Sequence, residues 1–176
     1  MKKYLPIYAL IVLGIASRFL PHPANFAPIA AIALFGGLYL PKKWAIILPL
    51  VAMLASDIFI GFYTWQIMIT VYLSFALMAG IGLLVRKNKK FHTILGGTLL
   101  GSVLFFIITN GSVWAFGAMY ARNLSGLFQS YYMALPFFRN SLLGDLFYTA
   151  VLVGGYEAVL WLSARKKIVI PAKAGI

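Results

Sequence analysis

The sequence predicts an all-α membrane protein with six transmembrane helices, and three observations carry this prediction. Of the 176 residues, 62% are hydrophobic and only 10% are charged, whereas soluble chains have about 45–50% and about 25%. A chain of this length leaves much of its surface exposed and cannot hide so much apolar surface from water. The apolar residues also form runs separated by short basic segments, which is typical of multi-pass membrane proteins. These observations exclude a soluble monomer.

The predicted membrane spans are six apolar segments, over residues 4–20, 26–40, 44–62, 65–85, 93–116 and 141–162. No small-residue cleavage site follows the first segment, so we expect a retained helix rather than a signal peptide. The second segment has 15 residues and reaches about 23 Å, which is short of the roughly 30 Å hydrocarbon core. We therefore expect it to depend on neighbouring helices or on a locally thinner bilayer.

The distribution of Lys and Arg predicts the orientation. If the amino terminus is cytoplasmic, 12 of the 15 basic residues fall in inner segments, within residues 2–3, 42–43, 86–90 and 165–173. The outer segments hold only Arg18, Arg122 and Arg139. This excess of inner positive charge predicts six crossings with both termini cytoplasmic.

The length of the chain suits one domain, which we expect to span residues 1–164 and to be followed by a disordered basic tail over residues 165–176. The formal charge is +12, but the basic residues come in bursts between apolar stretches and do not form one soluble face. This pattern favours contact with anionic lipid head groups over nucleic acid.

The outer connection over residues 117–140 carries an amphipathic helix pattern. Its apolar residues recur at helical spacing, at Leu124, Leu127, Phe128, Tyr131, Tyr132 and Leu135. Asn123 is a suitable N-cap, and Pro136 is expected to end the helix. Two interpretations stay open: a helix lying in the head-group plane, or a lid over an outward-facing cavity.

The three acidic residues, Asp57, Asp145 and Glu157, all fall within predicted spans. A carboxylate inside a span costs at least a few kcal/mol unless it is paired or hydrated. We expect Asp57 and Asp145 near the outer ends of their helices, where outer arginines either neutralise them or share a ligand with them. Glu157 lies deeper, toward the inner side, and is expected to pair with Arg165 or Lys166.

The chain shows no enzyme, metal or cofactor motif. It has no cysteine, which excludes disulfides and thiolate chemistry, and its two histidines fall on opposite sides of the predicted membrane. The outer half instead combines aromatic, amide and charged groups, a composition that suits a pocket for a small organic molecule. The candidate substrate-binding residues are Arg18, His22, Asn25, Asp57, Trp65, Asn110, Trp114, Arg139, Asn140 and Asp145.

Several stretches resemble a known group of membrane proteins. They are residues 18–28, 33–37, 56–57 with Gly61, 105–106 with 109–110, and 135–140 with 144–145. The order of these features resembles the substrate-binding S components of energy-coupling-factor (ECF) vitamin transporters. It is more closely similar to a family of uncharacterised bacterial membrane proteins related to them.

The resemblance implies a six-helix subunit that binds a vitamin-like molecule or a metal ion from outside. A coupling membrane protein with two ATPases would then move the substrate, unless the subunit works alone. The first helix departs from the S-component pattern, because Ala9 is followed four residues later by Leu13 rather than by alanine.

Two functional hypotheses follow. The first is a micronutrient-binding uptake subunit, and the alternative is a non-transporting membrane scaffold or assembly protein whose buried charges only hold the bundle together. The first predicts a polar and aromatic cavity beneath residues 117–140, with Asp57, Asn110, Trp114 or Arg139 pointing into it. The second predicts that these side chains are paired and sealed.

Overall fold

The computed structural model describes residues 5–17, 20–21 and 23–168. Its helices are α1 (Leu5–Ser17), α2 (Ile29–Tyr39), α3 (Lys42–Ile60), α4 (Trp65–Val85), α5 (Phe91–Phe116) and α6 (Leu124–Ile168). This part of the chain contains no strand, so the all-α prediction is confirmed there. Four helices, α3 to α6, are long and apolar enough to cross a membrane. Large apolar side chains such as Phe59 and Phe128 face outward from them, as expected for helices solvated by lipid.

Helix α2 is short and central. Its 11 residues reach only about 17 Å, roughly half of the hydrocarbon core. Residues 29–38 are all buried, and α2 packs against each of the other five helices. Gly37 of α2 and Gly82 of α4 meet so closely that a Cβ on either would collide with the backbone of the other helix. The short second segment thus depends on its neighbours, in agreement with the expectation from its length.

The chain enters α2 through a non-helical loop, residues 23–28, that packs against the middle of α6. Asn140 donates a hydrogen bond from Nδ2 to the Ala24 carbonyl at 3.1 Å. The ring of Phe26 lies 5.8 Å from that of Phe147. The backbone of Phe26 also passes close to the Cα of Gly144, where a Cβ would come within 3.2 Å of it. Helix α2 therefore begins inside the bundle and not at its surface.

Helix α6 is one continuous helix of 45 residues that runs antiparallel to α5. The two helices meet at successive levels: Tyr131 donates to the Ile107 carbonyl at 2.9 Å, and Ser102 donates to Asp145 at 2.6 Å. The prediction that Pro136 ends a separate outer helix is wrong. A proline within a membrane helix leaves few backbone groups unpaired, and neighbouring groups can satisfy them.

The amphipathic pattern of residues 124–135 arises because one side of this segment packs on the bundle as part of α6. Leu127 and Tyr131 face the bundle, whereas Leu124, Phe128 and Tyr132 face outward. This segment is about the first quarter of the last long helix, not a separate lid and not a separate helix in the head-group plane. The connection between α5 and α6 is only residues 117–123.

The two ends of the bundle differ in charge. Lys42 and Lys43 begin α3, and Lys87, Lys89 and Lys90 follow α4; we call this the basic end. The two segments share one end because Arg86 donates hydrogen bonds to the carbonyls of Gly37 and Leu40 at the end of α2. The opposite end, with residues 61–64 and 117–123, is called the far end. Helix α6 continues to Ile168, into the expected tail, and residues 169–176 lie outside the described part.

Candidate functional site

Two adjoining cavities lie in the bundle between the start of α2 and the far end. The first, of about 220 Å³, is lined by Asn25, Ala27, Ile29, Ala30, Met53, Val71, Phe75, Phe105, Ser141 and Asp145. The second, of about 260 Å³, is lined by Asn25, Ile67, Val71, Ser102, Phe105, Phe106, Thr109, Asn110, Val113, Ala134, Phe137, Phe138 and Ser141. Each is smaller than the roughly 300–1,000 Å³ of typical ligand pockets, but the two together fall within that range.

Asp145 is the charged group of the first cavity. It is 4% exposed and accepts a hydrogen bond from Ser102 at 2.6 Å on Oδ2. Among the described residues, no Lys, Arg or His forms an ion pair with it. Ser102 lies near the middle of α5, so Asp145 lies deep in the bundle and not near an outer helix end as expected. The depth of Asp145 was mispredicted because the last helix was expected to begin at residue 141, whereas it begins at Leu124.

The Ser102 hydroxyl has two acceptors within reach. Besides Asp145, its Oγ lies 2.9 Å from the Thr98 carbonyl oxygen of its own helix. Because a hydroxyl carries a single hydrogen, it donates to only one of them at a time. A carboxylate can accept several hydrogen bonds, so a ligand can donate to Asp145 in addition to Ser102. Asp145 and Ser102 together form an acceptor site that a donor group can complete.

The amino-terminal end of α2 forms part of the first cavity. Ile29 and Ala30 line it, and Pro28 at the N-cap position provides no side-chain cap. The first backbone N–H groups of a helix have no acceptor within the helix and carry the positive end of its dipole. The cavity therefore lies at the positive end of the α2 dipole and has a carboxylate, Asp145, in its wall. Non-helical backbone at this depth is tolerated where it lines a cavity, and substrate sites of secondary transporters occur at such helix breaks.

The second cavity combines phenyl rings with small polar groups. The rings of Phe106 and Phe138 contact each other, with centres 4.6 Å apart and planes tilted by 39°. Asn110 donates from Nδ2 to the Phe106 carbonyl at 2.9 Å, which leaves its Oδ1 as an acceptor. Thr109 donates to the Phe105 carbonyl at 2.7 Å. This wall can hold an apolar or aromatic body and orient it through one amide and one hydroxyl.

Three of the predicted site residues, Asn25, Asn110 and Asp145, come together on these cavities. Asn25 lines both cavities, and its φ of 64° is a left-handed conformation that asparagine tolerates better than most residues. Asn140 lines neither cavity but holds the loop that carries Asn25. Arg18 and His22 lie outside the described residues.

The other predicted site residues do not line the cavities. Asp57 is buried and accepts a hydrogen bond from the Tyr72 hydroxyl at 2.9 Å. Trp65 is 63% exposed, and Trp114 donates to the Ala121 carbonyl at 3.0 Å. Arg139 is exposed. Asp57, Asn110, Trp114 or Arg139 was expected to point into the cavity, and of these four only Asn110 is among the residues that line the two cavities.

Sequence reasoning missed three hydroxyl residues of the site, Ser102, Thr109 and Ser141. A signal for two of them is present in α5, where the buried polar residues are Thr98, Ser102, Thr109 and Ser112. This spacing of four, seven and three residues places them on one face of the helix. A hydroxyl stripe on one face of an apolar helix predicts contact with the bundle interior.

Glu157 also has a partner that differs from the one expected. The Tyr39 hydroxyl donates to Glu157 Oε1 at 2.6 Å, and the Arg165 guanidinium lies 3.7 Å from the centre of the Trp161 ring. Glu157 is at the basic end, remote from the two cavities. The described residues contain no group of three or more His, Asp, Glu or Cys side chains that would hold a metal ion.

Comparison with known proteins gives one match. A family model described as a family of unknown function, DUF6580, matches residues 1–168. No curated protein and no solved structure matches the chain. The family match carries no link to ECF transporters, so that relation stays a prediction.

Proposed function

The chain belongs to the DUF6580 family, whose function is unknown, and we propose from the geometry that it is an integral membrane subunit that binds a small organic solute for uptake. The observation that carries this proposal is Asp145. It is a buried carboxylate on a cavity wall, with one neutral hydroxyl as its hydrogen-bond donor. Intramembrane carboxylates mark substrate or ion pathways when no cation neutralises them.

The lining of the site favours a particular ligand class. Asp145 accepts hydrogen bonds, which suits an amine or another N–H donor, and the phenyl rings around Asn110 suit an aromatic or apolar body. The described part of the site offers a single carboxylate, whereas hard metal ions take about six or more oxygen ligands. The proposed substrate is therefore a vitamin-sized molecule with a donor group at one end, rather than a bare metal ion.

The expected orientation fits uptake. With the basic end cytoplasmic, the cavities lie between the middle of the membrane and the outer surface. We place the protein in a bacterial cytoplasmic membrane on this ground. The relation to ECF S components is part of the proposal, with two possibilities: a coupling protein with two ATPases drives transport, or the subunit works alone.

The scaffold alternative has its own support. Asp57 and Glu157 both accept hydrogen bonds from tyrosines of other helices, Tyr72 and Tyr39. These two carboxylates tie helices together, as a purely structural role requires. Asp145 distinguishes the two hypotheses, because a scaffold gains nothing from a buried carboxylate on a cavity.

Thermal unfolding of the purified protein in detergent, against a panel of vitamins and amine-containing precursors, tests the proposal. A ligand that binds only the folded state raises the apparent melting temperature. We expect at least one compound to do so, Asp145→Asn to remove the effect and Ser102→Ala to reduce it. Ser74→Ala is the matched control for Ser102→Ala, because the Ser74 hydroxyl is buried but bonds only within α4, to Thr70.

Each outcome decides between the hypotheses. Ligand stabilisation that is reduced by Asp145→Asn and Ser102→Ala but kept by Ser74→Ala supports the proposed site. No stabilisation by any compound favours the scaffold. Stabilisation that survives Asp145→Asn places the ligand elsewhere.

A further inference from the structure

A third concavity, larger than either cavity of the candidate site, lies at the basic end, between α5 and α6. This groove, of about 620 Å³, is lined by Tyr39, Lys89, Phe91, Ile94, Leu95, Thr98, Leu146, Thr149, Ala150, Val153, Gly154 and Glu157. Between Leu146 and Glu157 it extends about 16 Å along α6 at 1.5 Å per residue. That length is about half of the roughly 30 Å hydrocarbon core. The groove therefore matches one leaflet of the bilayer in length.

The walls of the groove are mostly apolar and lie partly exposed on the outside of the bundle. Phe91, Leu95, Ala150 and Gly154 are exposed, so the groove opens to the surroundings of the bundle and not to its interior. The hydroxyl of Thr149 is buried within it and has no hydrogen-bond partner. In a membrane, the molecule that meets such a groove first is a lipid acyl chain.

Two opposite charges, Lys89 and Glu157, lie at the mouth of the groove, and both contact Tyr39. The Tyr39 hydroxyl donates to Glu157 Oε1 at 2.6 Å, and Lys89 Nζ lies 4.5 Å from the centre of the Tyr39 ring. The mouth therefore presents an ammonium group and a carboxylate that contact the same tyrosine, one on its ring and the other on its hydroxyl. A head group that carries both a phosphate and a primary amine complements this pair.

We propose that this groove is a binding site for an aminophospholipid, phosphatidylethanolamine. Its acyl chain occupies the groove, its phosphate binds Lys89, and its ammonium group binds Glu157. Phosphatidylglycerol offers a phosphate without an amine and places its negative charge near Glu157. Phosphatidylcholine carries a positive charge but no N–H to donate. This site is separate from the Asp145 cavities and does not rest on the proposed function.

The test is the melting temperature of the delipidated protein in detergent, titrated with the three phospholipids carrying identical acyl chains. We expect the apparent affinity for phosphatidylethanolamine to exceed the other two by about tenfold, the effect of one charge-assisted hydrogen bond. Glu157→Gln, which still accepts from Tyr39, is expected to remove this preference. Lys89→Gln is expected to weaken binding of all three lipids, whereas Lys90→Gln, outside the groove, is the matched control.

Blocking the groove gives an independent readout. A Cβ at Gly154 meets no atom within 4 Å, so Gly154→Phe is expected to fill the groove without strain and to abolish lipid stabilisation. Gly96→Phe, at an equally open position of α5 outside the groove, is expected to leave it unchanged. Equal effects of the three lipids, a preference for phosphatidylglycerol, or full binding by Gly154→Phe would overturn the proposal. A change of oligomeric state in Gly154→Phe would also overturn it, by showing that a second copy covers the groove. The Glu157→Gln comparison decides if Gly154→Phe does not fold.

Discussion

Asp145→Asn and Asp57→Asn are expected to change stability in opposite directions. Both aspartates are buried, with 4% and 2% of their surface exposed. Asp145 lines a cavity and has one hydroxyl donor, from Ser102. Asp57 lines neither cavity of the site and accepts from Tyr72 across the α3–α4 contact. The same chemical change therefore removes an incompletely compensated charge at one position and weakens a bond between helices at the other.

The magnitude follows from the two environments. A charged aspartate at the centre of a membrane helix costs about 2.5–3.5 kcal/mol on insertion scales. Asparagine at position 145 gives up this charge and weakens the Ser102 bond by about 1 kcal/mol, since charge-assisted bonds exceed neutral ones by that amount. Allowing also for the burial of the amide, the ligand-free protein gains about 1 kcal/mol. Asp57 lies three residues from the end of α3, where a charge costs less than at the centre of a membrane helix. Asp57→Asn therefore mainly weakens the bond from Tyr72 and is expected to lose about 1–2 kcal/mol.

The assay is thermal unfolding of the two variants without ligand, side by side with the wild type. For a chain of this size, 1 kcal/mol corresponds to roughly 2–4 °C. Asp145→Asn is expected to melt above the wild type and Asp57→Asn below it. Substitutions that remove strained binding-site groups commonly stabilise proteins at the cost of function. Equal destabilisation by both variants would show that Asp145 is a structural residue, and the argument for the site would fail.

Three further changes test the packing of the helices. Gly82→Ala is expected to lower the melting temperature by several degrees, because its Cβ collides with the backbone of α2, whereas Gly80→Ala meets open space and is expected to be neutral or stabilising by up to about 1 kcal/mol. Arg86→Gln removes charged donors from the last carbonyls of α2 and is expected to cost about 1.5–3 kcal/mol in chemical unfolding, with exposed Lys87→Gln as a control near zero. Pro136→Leu is expected to leave helix content by circular dichroism and the melting temperature unchanged or higher, because α6 is already continuous there; a loss of helix would contradict this.

The sequence predicted best those helices whose ends are marked by residues within or next to the helix itself. The limits 65–85 of α4 agree with the structure because an interfacial Trp65 and the basic run after Val85 define them within the segment itself. The short second helix was also expected from length alone. In both cases the signal depends on hydropathy, charge and chain length, which need no knowledge of neighbouring helices.

The start of α6 could not be predicted from such local signals. Pro136 is a local signal for a helix end, but the contacts of Tyr131 and Phe138 with α5 hold the helix on both sides of it. The depth of Asp145 follows from this packing, since the level at which α6 meets Ser102 is set by the register of two helices. Sequence identified the charged residue but not its depth, because register between helices is a property of tertiary packing.

The location of the site follows from the length of α2. A helix of about 17 Å fills only part of the centre of a bundle in which α3, α4 and α5 span about twice that distance and α6 spans more. Its first residues, Ile29 and Ala30, form part of the first cavity, and the walls above them come from α4, α5 and α6. A full-length second helix would occupy this space. The shortness of α2 therefore leaves room for the cavity, whose wall combines the start of α2 with Asp145 of α6.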